Sequence, residues 1–332
     1  MNIVGSALLV FVWNELPYAI LNIFGLILLL FQNFSKQNRV HFSRIFFTVF
    51  VFMLGAVNLT SNVVFSSGLG SGYFWFWAMG LLFLFNFSGS ETKSCIVSIT
   101  TTIFLIAFYD AYLRLNLLAS SPWAHLHAYK FGNIGVDTNY TGFMLVLVYA
   151  LILISKDEIF GKINRRLILV LFLTLIILSF SRSAWIVTAI LTFCFIMRSR
   201  PFILIISFVT FILIIALFVF TDESLLSKFE ILQLVLSDFE SWEYYNYLLG
   251  RGGNVDLGGK TLHILLLQVV YQAGFFGLLL FVIFAAILFR FNVRYSLAAY
   301  FLLGVSFVPL TSPLLCLSFV LESAMRRNNM AR

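Results

Sequence analysis

Two stretches of this chain hold residues able to act on an anion or a hydroxyl. The first is YNYLLGRGGNVDLGGKTLHILLLQ, residues 245–268. It brings Gly250, Gly252 and Gly253, with Arg251 and Lys260, up to His263 at the edge of an apolar run. Glycine-rich backbone entering a helix N-terminus offers N–H groups and a favourable dipole to an anion, and the two basic side chains add charge. Such a set suits a phosphate or pyrophosphate, although a glycine loop without a ligand has the same composition. A histidine with an ordinary pKa near ~6.5 can take a proton from a hydroxyl at neutral pH; polar anchoring at a membrane surface is its plainer use. NVDLGGKT is not a nucleotide-binding loop, because Asn254 stands where that pattern needs glycine.

The second stretch is SFSRS, residues 179–183, in the middle of an apolar run from Leu167 to Met197 whose single charge is Arg182. A charge deep in lipid costs roughly 2.5–3.5 kcal/mol on the mildest scale. Arg182 therefore either serves a function or sits near water at a hairpin tip. Three other sets read as structural. His125 and His127 have no third or fourth ligand nearby for a metal. Asp110 is spaced to pair with Arg114 one helical turn on. Cys95, Cys194 and Cys316 lie in separate apolar segments without metal-ligand spacing. No metal and no cofactor is expected.

The elements that position these residues follow from composition. Of the 332 residues, 61% are hydrophobic and 11% charged, against about 45–50% and about a quarter in soluble domains. Long, unalternating apolar runs point to an all-α, polytopic transmembrane bundle of about ten or eleven spans. The N-terminus lacks a basic region and a cleavage site and reads as a retained membrane segment. The net charge of +7 does not indicate nucleic acid. The basic residues gather in short connectors at 36–39, 156–166, 198–200 and 290–294, as the positive-inside rule expects of cytoplasmic loops.

With those connectors inside, spans fall at about 18–32, 45–66, 73–87, 95–113, 138–155, 167–180, 184–197, 202–220, 264–289 and 295–321. Outside lie 67–72, 114–137, the turn at Arg182 and one large loop, 221–262, which holds seven of the 14 acids. As one helix, Leu167–Met197 would reach ~46 Å, too long for a ~30 Å core. It is therefore expected to be a hairpin turning at SFSRS. The run 295–321 is expected to hinge at PLTSP, leaving the basic tail inside. Residues 1–31 are long for one span and short for two. Aromatic clusters at 73–77 and 242–247 suit an interfacial belt or stacking on sugar rings.

Three stretches, in order, resemble the bacterial O-antigen ligase and O-antigen polymerase family. FGNIGVDTNYTGFMLVLVYA is similar to its Gly…Asn element opening a span, and SFSRSAW to its Ser-Arg-Ser-x-Trp hairpin tip. LLGRGGNVDLGGKTLHILLLQVVYQAGFFGLLLF is similar to its Gly-x-Gly, His, Gly-x-x-Gly pattern, here Gly250, Gly252, His263, Gly274 and Gly277. The likeness covers about 131–290; Ile264 stands where the family usually has Asn, and Gln272 where it has an acid. The resemblance implies a single integral membrane domain, a GT-C-like, metal-independent, inverting glycosyltransferase of the bacterial inner membrane with its active site facing the periplasm. The implied donor is an oligosaccharide on undecaprenyl pyrophosphate, with a chain-length regulator protein as a further partner. Polymerase activity is expected; ligase activity toward lipid A–core shares the same motifs. A transporter or flippase would place polar residues along a midplane pathway, whereas the polar weight here lies on one face. In this scheme His263 orients or deprotonates the attacking hydroxyl. Arg182, Arg251 and Lys260 hold the pyrophosphate, because guanidinium matches its oxygens. Asn139 faces substrate.

Overall fold

The computed structural model describes residues 2–9, 16–34, 42–65, 72–84, 87–120, 138–196, 223–252, 264–304 and 312–331. Among them the chain is all-helical. The first five helices are α1 (Asn2–Leu8), α2 (Leu16–Phe34), α3 (Phe42–Phe65), α4 (Gly72–Leu84) and α5 (Gly89–Ser120). Next come α6 (Thr138–Ile154), α7 (Asp157–Phe160), α8 (Lys162–Leu178) and α9 (Arg182–Ile196). The last five are α10 (Glu223–Phe239), α11 (Tyr244–Leu249), α12 (Leu265–Arg290), α13 (Tyr295–Leu303) and α14 (Pro313–Arg327). Two stretches, Gly89–Leu113 and Leu265–Arg290, are long and apolar enough to cross a membrane. Nine of the ten expected segments coincide with helices; the tenth, 202–220, lies outside the described residues, as do His125 and His127.

Apolar composition on all sides of a helix predicts burial on all sides. α6, TNYTGFMLVLVYALILI, is buried from Tyr140 to Ile154 and packs against α5, α8, α9, α13 and α14. α14 is likewise buried from Pro313 to Glu322. These two helices form the centre. In contrast, α2, α3, α8 and α12 each keep large apolar side chains exposed, among them Phe31, Phe46, Ile163 and Phe275.

Helix ends follow local sequence signals. Ser88 and Glu91 form a capping box at the start of α5: Ser88 N–H donates to Glu91 Oε2 at 2.8 Å and Glu91 N–H to Ser88 Oγ at 3.3 Å. The run 295–321 is two helices, and the second begins with Ser312 as cap and Pro313 in the first position; Ser312 Oγ accepts from Leu315 N–H at 3.1 Å. Residues 1–31 contribute α1 and α2. The two approach so closely that a Cβ on Gly5 would lie 2.9 Å from Gly25 O, and one on Gly25 2.7 Å from Gly5 O.

One end of the bundle is tied together by polar contacts. Lys156 N–H donates to Met330 O at 2.8 Å, and Arg327 and Asn328 side chains donate to Phe87 O. Glu322, with no exposed surface, accepts the N–H groups of Arg294, Tyr295 and Ser296 at 2.8–3.0 Å. It thereby satisfies the first orphan donors of α13 from a different helix and sets a negative charge against the positive end of the dipole. Each buried N–H left without an acceptor costs about 1–3 kcal/mol, so Glu322→Ala will destabilise the protein by upwards of about 3 kcal/mol. Glu322→Gln, whose single carbonyl oxygen can keep only part of the set, will fall between. Thermal unfolding of the detergent-solubilised chain checks this; equal losses for the two substitutions would count against it.

Candidate functional site

The hairpin turn is built from Ser179, Phe180 and Ser181. Ser179 Oγ–H donates back to Ile176 O at 2.7 Å, a bond that competes with helix continuation. Phe180 then takes φ 55°, a left-handed value uncommon for a bulky side chain. Ser181 starts the next helix: its Oγ accepts from Ala184 N–H at 3.4 Å and shares a 3.1 Å contact with Ser183 Oγ. Trp185 Nε1–H reaches back across the turn to Ile176 O at 2.8 Å. The turn is thus pinned from both arms, and Arg182 opens α9 as an exposed residue.

α6 holds this turn from the side. Ser181 Oγ–H donates to Asn139 Oδ1 at 3.1 Å. One turn further along α6, a Cβ on Gly142 would come within 2.8 Å of both Ala184 Cβ and Ser181 Cβ. Asn139, expected from the sequence to face substrate, lends its side-chain oxygen to the turn that carries Arg182. The structure brings Asn139 and the Arg182 turn together.

The second cluster joins 238–252 to α12. Asp238, at the C-terminal end of α10, accepts from Arg251 Nη1 at 2.8 Å, from Trp242 Nε1 at 2.9 Å and from the Tyr271 hydroxyl. Arg251 Nη2 also donates to Ser241 Oγ at 2.9 Å, and the guanidinium lies over the Trp242 ring, 5.8 Å from its centroid. Phe239, Trp242, Tyr247 and Tyr271 pack edge to face or stacked beneath these bonds, and Tyr247 stacks on Phe275. This small aromatic core, with Ile231 and Val235, fixes α10 and α11 against α12.

Backbone meets backbone next to it. Gly274 has φ 67° and ψ −171°, a break inside α12. The Tyr271 carbonyl accepts from Arg251 N–H at 2.7 Å and the Gln272 carbonyl from Gly252 N–H at 3.3 Å. A Cβ on Gly250 would sit 2.5 Å from Gln272 C, and one on Gly274 would sit 2.2 Å from Leu248 O. Gly250 N–H donates to Asn246 O. The amides expected to cradle an anion are therefore used inside the chain at 250–252, and the glycines are required because the two strands of backbone leave no room for a side chain. Gly250 and Gly252, expected to join an anion site, thus donate to Asn246 O and Gln272 O. Gly253, Lys260 and His263 lie outside the described residues. The helix that follows His263 is anchored, since Leu265 N–H donates to Gly304 O at 2.8 Å.

Burial pushes the Asp238 pKa up, but hydrogen bonds from Tyr271 and Trp242, the Arg251 charge and Ser241 outweigh it and hold the carboxyl below its ordinary value of 3.8. A depressed folded pKa adds stability that is complete above the unfolded value and is lost as the pH falls through the folded one. Docking of α10 and α11 will therefore be at full strength from neutral pH down to about 4 and weaken progressively as the pH falls through the lowered Asp238 value. Asp238→Asn will weaken docking at neutral pH and flatten that acid transition. Trypsin cleavage within 223–252, followed against pH, measures both.

No protein-family model, curated protein or solved structure matches this chain. Asp238 and Tyr271 are the site residues that composition and motif do not single out. Asp238 is one of seven acids in its loop, and Tyr271 lies 33 residues away in an apolar helix.

Proposed function

We propose that this chain is a polytopic inner-membrane glycosyltransferase that polymerises a surface polysaccharide, O-antigen or a related glycan, on the periplasmic face. The donor is a lipid-pyrophosphate-linked oligosaccharide and the acceptor a sugar hydroxyl of a second lipid-linked chain. Segment 221–262 is the periplasmic loop, and 156–166, 290–294 and the tail face the cytoplasm. A chain-length regulator is a partner.

The observation that carries this reading is the turn at Arg182. A cation in the first turn of a helix faces the positive end of its dipole, at a cost of about 0.3–1 kcal/mol. An anion at that point is attracted by the dipole and the guanidinium together. The chain holds this arrangement with a left-handed Phe180, a Ser181–Asn139 bond and a glycine contact at Gly142. Simple packing of apolar helices asks for none of these. Further support comes from the third stretch of the resemblance, where Gly250 and Gly274 allow α11 to lock onto α12.

In this mechanism the nucleophile is the acceptor hydroxyl, and His263 takes its proton as the C–O bond forms. The anomeric C–O bond to pyrophosphate breaks with inversion, and the leaving pyrophosphate keeps the electron pair. Arg182, Arg251 and Lys260 neutralise the developing charge, the larger contribution to rate.

A surface-polysaccharide gel of the host lacking this gene, complemented by wild type or His263→Ala, tests the reading. A ladder restored by wild type, with only a single-repeat band from His263→Ala, is the expected result. Bare core with polymer left on the lipid carrier would make the chain a ligase, and an unchanged ladder in the deleted host would overturn both.

A further inference from the structure

α8 and α12 carry the same exposed pattern. On α8, Ile163, Leu167, Val170 and Ile177 are exposed, Ile163 at 82%. On α12, Phe275, Leu279, Val282 and Phe289 are exposed at the same spacing. The offsets of 4, 7 and 14 residues place each set on one helical face. Each stripe ends in a pair of exposed cations: Lys162 and Arg166 at the start of α8, Arg290 and Arg294 at and beyond the end of α12. In each pair the like charges lie four residues apart in sequence; Lys162 and Arg166 are neighbours on one helix and repel unless an anion comes between them, while Arg290 and Arg294 flank the turn at 291–293, where Asn292 has φ 64°. The Arg294 guanidinium lies over the exposed Phe289 ring, 5.0 Å from its centroid.

The fold puts both pairs at one end. The 294–296 backbone is held by Glu322 and the connector at Lys156 by Met330, within the same C-terminal segment. Lys93 Nζ donates to Glu158 O and adds a further exposed cation there. Among the described residues of these segments, Glu158 is the one exposed acid.

We infer that this end of the molecule binds anionic phospholipid, with phosphate head groups between Lys162 and Arg166 and between Arg290 and Arg294, and acyl chains along the two stripes. A soluble phosphate would use the cations but has no use for apolar stripes of about four turns. An uncharged lipid would use the stripes but not the cations. Only an anionic amphiphile matches both, and the cation pairs select one leaflet. The inference rests on the membrane reading of the chain and is independent of its glycosyltransferase chemistry.

The test uses the full-length protein, wild type and Lys162→Gln/Arg166→Gln/Arg290→Gln/Arg294→Gln, in nanodiscs of mixed phosphatidylethanolamine and phosphatidylglycerol. Lipid retained after transfer to mild detergent is quantified by mass spectrometry. At ~1 kcal/mol per basic residue near the surface, wild type will retain phosphatidylglycerol about five-fold above its share of the mixture. The quadruple variant, and wild type in high salt, will retain it near its share. The variant will keep its helical circular dichroism, since the backbone bonds to Glu322 do not involve these side chains, and it will keep polysaccharide polymerisation in the host. Wild type retaining both lipids in the input ratio, or a variant with undiminished enrichment, would overturn the inference. A protein that enters no nanodisc would overturn the membrane reading with it.

Discussion

Gly274→Ala will release α10 and α11 from α12 and, on the proposed function, abolish glycan transfer. Two costs add at this position. The backbone angles, φ 67° and ψ −171°, belong to a region open in practice to glycine alone, and a side chain there costs about 1–3 kcal/mol. The new Cβ would also lie 2.2 Å from Leu248 O and 2.3 Å from Leu248 C. Those are backbone atoms, so no rotamer change relieves the clash and one of the two segments must move. Movement breaks the Arg251 N–H and Gly252 N–H bonds to α12 and displaces Asp238 from Tyr271. A total above about 3 kcal/mol is expected, enough to unseat a segment held by one small aromatic core. Trypsin will cut within 223–252 of the variant under conditions that leave wild type intact. Gly89→Ala is the control, because its Cβ would meet only Met330 Sδ, at an ordinary 3.5 Å. Equal protection of Gly274→Ala and wild type would refute the clamp.

On the proposed function, Arg182→Ala will lower the transfer rate by about 10²-fold or more, the scale seen when one preorganised group facing a developing oxyanion is removed. Arg182→Lys will retain part of the rate, because an ammonium supplies the charge without the paired donors of a guanidinium. Asn139→Ala will have a smaller effect: it removes the acceptor of Ser181 Oγ–H, leaving the arginine in place on a less constrained turn. The order wild type, Asn139→Ala, Arg182→Lys, Arg182→Ala in rate, at equal protein in the membrane, is the signature of a positioned cation. Full activity of Arg182→Ala in a properly inserted protein would remove Arg182 from the mechanism.

The helices were largely legible in the sequence, because length and uninterrupted apolar character are local properties. The break at SFSRS was readable from its basic flanks and the excess length of the run, and the hinge before Pro313 from the prolines. The site was legible only in part. Arg182 stood out because charge is rare in an apolar run, and its turn forms where expected. Gly250 and Gly252 also stood out, but for another reason than the structure gives: glycine spacing alone does not distinguish amides that face a ligand from a missing Cβ that admits a second backbone. Asp238 and Tyr271 could not be found this way, since their bond spans 33 residues and carries no spacing rule. Glu322 was hidden similarly, as its three N–H donors lie 26 to 28 residues before it.

Glycan polymerisation is tested with purified protein in liposomes with undecaprenyl-pyrophosphate-linked repeat units, a metal chelator, and neither nucleotide nor ion gradient. Lipid-linked oligosaccharides lengthened by whole repeats with release of undecaprenyl pyrophosphate are expected from wild type, and neither product from His263→Ala or Arg182→Ala. Wild-type protein that is inserted and folded yet leaves the repeat units unjoined, or joins them as well after both substitutions, would contradict it.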